Sequence, residues 1–306
     1  MPANSFNQYY IPTIHLLIQL LEPLVVTQKC LERKHFKKKL SSISTWLACN
    51  KLSLNASKTK FMIFRYPQQS PQRMPVLNLQ INNASIERVK QFDFLGLTIS
   101  ETLSWKHHVN KISMQITKVL AMMRKIKQLA NTSIMLKIYN ALIVSRINYA
   151  ILCWGYEHKR IFILQKKAIR LISGSRYNAH TDPLFKNLNI LKVKDIFVIQ
   201  SLKFYYNYVN DKLPEYFKNI FNDVRDIHEY NTRSSTSLHI PRTRRHKTNK
   251  TTRYSIPHIM NNFPLTVREK IRTHSFNTIK SHAKKFILDA YQVHCNNANC
   301  FICGRQ

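Results

Sequence analysis

The chain has 306 residues, with 48 Lys and Arg against 15 Asp and Glu, a formal charge of +33. Four glycines, with no GxGxxG or P-loop run, exclude the Gly-rich phosphate loops of the common nucleotide-binding folds. Hydrophobic content of 44% and aromatic content of 11% exclude a disordered basic tail; folded structure must carry the charge, and nucleic acid is the commonest polyanion that would offset it. A merely basic, solvated surface is the competing reading.

Residues 11–26 are apolar but are interrupted by Pro12, His15, Glu22 and Pro23, and they fall short of the roughly 20 apolar residues that a membrane span needs. No basic stretch precedes them, so neither a membrane partner nor a secretory signal is expected. The six cysteines are then expected in a reducing, intracellular setting, nucleus or cytoplasm, without a disulfide framework.

From Lys34 to Leu47 the apolar residues Phe36, Leu40, Ile43 and Leu47 fall at helical spacing, with Lys37, Lys38 and Lys39 on other faces. Lys60 to Tyr66 is rich in strand formers, and Pro67 to Pro75 reads as a loop. Two short strands around Asn82-Asn83 read as a hairpin, because asparagine tolerates the left-handed backbone that tight turns require. Phe92 to Ile99 reads as a further strand.

After Trp105 the pattern becomes helical. Val109, Ile112, Ile116, Val119, Met123 and Ile126 make one apolar stripe, leaving Lys111, Lys118, Arg124, Lys125 and Lys127 for solvent or phosphate. Asn131-Thr132-Ser133 supplies caps for a second helix running to about Ala150, apolar nearly all round and therefore expected at the centre of a bundle. A third helix is expected over Ile161 to Ser173, exposing Lys166, Lys167 and Arg170 and stopping at Gly174. Further helices are expected over Val193 to Val209 and Phe276 to Tyr291. Residues 231–253, rich in Thr, Ser, Arg and Lys, read as a linker between them.

Several short runs recur in a fixed order: Trp46, Asn50 to Asn55, Lys58-Thr59-Lys60, Phe94-Leu95-Gly96, Trp105-Lys106-His107-His108, Leu142 to Tyr149 and Trp154-Gly155. In that order they resemble the C-terminal part of the reverse transcriptases of non-LTR (LINE-like, jockey-type) retrotransposons, which are RNA-directed DNA polymerases. The resemblance implies an α+β, mostly helical fold. Residues 34–100 would be a truncated polymerase palm with a small antiparallel sheet, 101–180 a thumb-like helical bundle, and 181–306 a helical C-terminal extension. Lys58 and Lys60 would belong to the last palm motif. Gly96 would lie in the hairpin that grips the primer end, where the lack of a Cβ lets backbone approach nucleic acid closely. The expected partners are RNA, DNA or their hybrid.

An intact family member uses two adjacent aspartates to hold magnesium on the attacking hydroxyl and the leaving phosphate. Here no two of the 15 carboxylates are adjacent, and the corresponding place reads Tyr10-Ile11-Pro12-Thr13-Ile14-His15. No catalytic residue is assigned, no cofactor is expected for this chain alone, and nucleic-acid binding without polymerisation is the expected activity. The alternatives are a polymerase part active only with the missing fingers and palm, and a co-opted helical interaction module. Residues 1–33 are unassigned; a shift of reading frame over an aspartate hairpin would produce such a run.

Two further features compete with bland readings. Cys295, Cys300 and Cys303, with His294, have spacings within reach of zinc, although a reduced and unconstrained tail explains them as well. Tyr205, Tyr206 and Tyr208 could stack on bases, but an aromatic helix packed into a core is the simpler account.

Overall fold

A computed structural model of the chain describes residues 41–291 apart from 43, 53–54, 56–57, 69–76, 82–83, 228–236 and 243–249. The runs expected at 1–33 and in the first part of the Lys34 helix, like the His294 to Cys303 cluster, lie outside these residues. The described fold is mostly helical with small two-stranded sheets. It divides into two units between His108 and Val109.

In the first unit, residues 44–49 are helical and Trp46 is exposed. Short strands follow at β1 (Lys60–Phe61), β2 (Gln80–Ile81), β3 (Ala84–Ser85) and β4 (Glu87–Arg88). β2 and β3 pair antiparallel on either side of Asn82-Asn83, whereas β1 pairs parallel with β4. Where one small antiparallel sheet is expected, β1 and β4 form a separate two-stranded sheet that is parallel. Phe61 and Leu77 pack on the buried pair Leu79 and Ile86. Only Lys60 and Phe61 of the 60–66 run form a strand; beyond them the chain is held through Glu101. Its backbone carbonyl accepts from the Arg65 amide at 2.8 Å, and its buried carboxylate takes Arg65 at 2.7 Å and Arg88 at 3.8 Å. A buried carboxylate needs such partners, because desolvation without them costs several kcal/mol.

The run expected as one strand over Phe92 to Ile99 is instead a hairpin, β5 (Gln91–Phe94) and β6 (Leu97–Ser100). The chain reverses over Leu95 and Gly96, with φ of 47° and 79°. Two central residues with positive φ define the turn whose twist matches paired strands.

The second unit is a helical bundle. Its first helix, α1 (Lys106–Ile126), starts before the division and buries Val109, Ile112, Ile116, Val119, Leu120 and Met123, the expected stripe with Leu120 added and Ile126 only half-buried. Asn131 caps α2 (Thr132–Tyr139) by accepting the Ile134 amide at 2.9 Å. A π turn over Asn140–Val144 leads into α3 (Ser145–Asn148), and Ala150, at φ 47°, breaks the chain before α4 (Ile151–Trp154). α5 (Lys159–Ser173) stops where Gly174 takes φ 68°. The short α6 (Asp182–Asn187), with Pro183 in its first turn, precedes α7 (Val193–Val209). Three more helices close the unit: α8 (Thr252–Asn261), α9 (Leu265–Thr273) and α10 (Phe276–Asp289).

The centre of the bundle belongs to α7, not to the 132–150 segment expected there. α7 packs against α3, α4, α5, α8, α9 and α10, and buries Ile196, Phe197, Ile199, Leu202, Phe204 and Tyr206. The earlier segment keeps Ile134 exposed and leaves Leu136, Ile138 and Leu142 half-buried.

Two polar knots fix the start of α7. Gln165 is fully buried; its Nε2 donates to the Tyr139 hydroxyl at 2.8 Å and the Leu191 carbonyl at 2.9 Å, while its Oε1 accepts the Val193 amide at 2.9 Å. In the second knot the Tyr291 hydroxyl accepts the Lys192 amide at 3.0 Å and donates to Asp195. The Lys192 ammonium meets Asp182 at 2.9 Å and lies 4.1 Å over the Tyr291 ring. Burial pushes the Asp195 carboxyl upward, opposed by the Tyr291 hydrogen bond and the nearby lysines.

The expected linker at 231–253 is partly built into the fold. Leu238 is buried and exchanges two hydrogen bonds with the Asn261 side chain at 2.9 and 2.8 Å, and α8 begins inside the linker's last residues.

Candidate nucleic-acid interface

The basic residues divide sharply by what they touch. Lys118, Arg124, Lys125 and Lys127 are exposed, and among the described residues none meets a carboxylate. Lys111, Lys118 and Lys125 recur every seven residues, so they follow one side of α1, about 10 Å apart along its axis at 1.5 Å rise per residue. Lys111 is half-buried. The helix contains no acidic residue, and no Asp or Glu occurs anywhere between Glu101 and Glu157. That carboxylate-free run is a sequence signal for a surface that repels cations and cannot neutralise itself internally.

On α5 the three expected cations separate. Lys167 is exposed. Lys166 is half-buried and rests 4.9 Å over the Phe162 ring. Arg170 donates from Nε to the Ala179 carbonyl at 2.8 Å, and burial lowers its pKa. It therefore holds the 174–180 turn against the helix, a structural duty in place of the expected exposure. Sequence reasoning missed Arg160, exposed in the first turn of α5, which donates to Asn110 on α1 at 2.5 Å. That bond ties the first turn of α5 to α1.

In the first unit Lys58 is exposed, and its backbone amide closes a turn on the Asn55 side chain at 3.1 Å. Lys60 is paired with Glu87, so its charge is already answered within the unit. Gly96 is exposed at the hairpin tip beside the exposed Leu95.

A second cationic group lies near the end of the chain. Lys203 on α7, 6.0 Å over the Phe276 ring, and Lys284 on α10 both have pKa values lowered by burial first and by the Lys280 charge second. These charges are held together at a cost in stability, which an anion would relieve.

Other candidates resolve more plainly. Tyr206 is buried, while Tyr205 stacks on Tyr208 at 6.2 Å and 23°, and both edge onto Phe221, so the tyrosine run is mainly packing. Burial raises the Cys153 thiol to about 12, an unreactive state. His108 is buried beside Trp105, and its Nδ1 accepts the Thr98 amide at 3.4 Å. Among the described residues no three His, Cys, Asp or Glu side chains are placed to hold a metal ion, and no helix is long and apolar enough to cross a membrane.

Comparison with known proteins finds no family model that matches the chain, no similar curated protein and no matching solved structure.

Proposed function

We propose that this chain is a reverse-transcriptase-like retrotransposon fragment that binds RNA, DNA or their hybrid and does not polymerise. In this reading residues 34–100 are the end of a palm, 101–180 a thumb, and 181–306 a C-terminal extension. The single observation that carries the binding is the exposed cationic side of α1 in a run without carboxylates. Such a face draws its affinity from counterions released on contact with phosphate, so it discriminates little between sequences. The hairpin turn at Leu95-Gly96 supports the resemblance on which the polymerase ancestry rests. The lack of adjacent carboxylates removes the two-metal chemistry.

Fluorescence anisotropy across a salt series tests the proposal. Binding to an RNA/DNA hybrid, duplex DNA and single-stranded RNA should fall steeply with salt. The combined Lys118→Glu, Arg124→Glu and Lys125→Glu variant should flatten the log-log slope by about three contacts' worth, roughly 0.9 each on duplex. Unchanged affinity in that variant overturns the assignment of the face, and extension of a primed template by the wild type overturns the loss of polymerisation.

A further inference from the structure

Two cavities lined by described residues of the second unit are of similar size and differ in chemistry. One, of about 360 Å³, sets Tyr205, Tyr208 and Phe221 beside Asp211, Asp223 and Asp226. Its lining mixes these carboxylates with Lys218 and Arg272, and Asp223 is paired with Arg225 at 3.0 Å. The other, of about 380 Å³, lies where the turn after α4 meets α7 and α8. Its walls include Tyr156, Phe197 and Tyr254, its polar groups include His158, Lys194 and His258, and no carboxylate among the described residues lines it. Both volumes fall in the range of sites that take small molecules, roughly 300–1,000 Å³.

The aromatic walls are held in place by their neighbours. Tyr254 and His258, one turn apart on α8, stack with ring planes 16° apart. Tyr156 meets Phe197 edge-on at 5.0 Å, and its hydroxyl bonds the Ser255 side chain. Gly155 lets the Phe197 ring lie directly on the backbone, since a Cβ there would stand 2.6 Å from the ring. The His158 Nδ1 donates to the Gly155 carbonyl at 2.8 Å, which leaves its Nε2 as an acceptor.

We infer that this cavity takes an unpaired nucleobase of a single-stranded nucleic acid, stacked against Tyr254 and His258, with the adjoining phosphate on Lys194. The inference rests on the nucleic-acid-binding reading above and adds a base-holding site to it. Flat aromatic faces suit any base, an exposed ammonium suits its phosphate, and no carboxylate among the described lining residues opposes that phosphate. An apolar peptide side chain would need neither the cation nor the stacked pair.

The test uses the full chain and a short single-stranded DNA carrying 2-aminopurine, with anisotropy reporting binding and 2-aminopurine fluorescence reporting stacking. Wild type should bind and quench. Tyr254→Ala should lose the quench and weaken binding about tenfold, whereas Tyr254→Phe, which keeps the ring, should quench as wild type does. His258→Ala, at an exposed position where folding is not at stake, should reduce the quench as well. The triple charge reversal on α1 should weaken binding yet preserve the quench at saturation. Binding without quenching, or an undiminished quench in both Tyr254→Ala and His258→Ala, overturns the base site and leaves the phosphate-binding reading standing. Absence of any anisotropy change at low salt overturns both.

Discussion

Gln165 satisfies three buried partners with one amide, so its replacement leaves the Tyr139 hydroxyl, the Leu191 carbonyl and the Val193 amide with nothing to bond. Each orphaned group costs about 1–3 kcal/mol. Gln165→Leu, similar in volume, should therefore lower stability by about 3 kcal/mol or more, read as a shift of the urea midpoint without a change in slope. A shift below 1 kcal/mol would mean that the knot is not needed. Such residues are the least legible from sequence. Gln165 looks like one more polar position on a basic helix, and only the arrival of Tyr139 and the start of α7 gives it a task. The same holds for the candidate interface. Lys118, Arg124 and Lys125 were readable because the apolar stripe of α1 fixes the opposite side by geometry alone. The contacts of Lys60, Lys166 and Arg170 are not legible, because Glu87, Phe162 and the Ala179 carbonyl approach them through tertiary or turn structure.

At the level of elements, the turn at Leu95-Gly96 carries a defect that can be repaired. Leucine at φ 47° is strained by its Cβ, whereas asparagine accepts that backbone and is the favoured partner of glycine in this turn. Leu95→Asn should raise stability by about 0.5–1 kcal/mol, seen as a higher thermal midpoint. A lower midpoint would show that the exposed leucine makes contacts worth more than the strain. Long elements were legible. The expected Val193 to Val209 helix has those bounds in the structure, and α1 begins where Trp105 ends, because caps and periodicity are local. Short ones were not. α8 contains Pro257, which would ordinarily stop a helix, yet Ile256 and Met260 are fully buried on either side of it, so packing overrides propensity. The cavity at Tyr254 was invisible for a related reason, since its walls come from three segments far apart in the chain.

Across the whole molecule, excess positive charge should make stability depend on solution conditions. Lys203 and Lys284 have folded pKa values below their ordinary 10.5. A base depressed in the folded state adds stability above its unfolded pKa and loses it as pH falls through the folded value. Tyr139, Tyr205 and Tyr291 act oppositely: burial raises them above 10, Tyr205 to about 12, so their contribution is lost as pH rises beyond 10. The thermal midpoint should therefore climb with pH below the ordinary lysine value of 10.5 and decline once the tyrosines' ordinary value of 10.0 is passed, giving a maximum near pH 10. Lys280→Gln should flatten the climb, because Lys280 repels both depressed lysines. A midpoint that falls steadily from pH 7 would contradict this account.

The bond from Tyr291 to Asp195 joins residues 96 positions apart. During synthesis, α7 emerges with apolar surface on nearly every side, and the tyrosine that locks its first turn is made almost a hundred residues later. The first turn of α7 gains its two bonds to Tyr291 only when that late residue arrives. Between those two moments the nascent chain presents an uncovered, sticky helix to the cell, an interval in which a chaperone would decide between folding and aggregation.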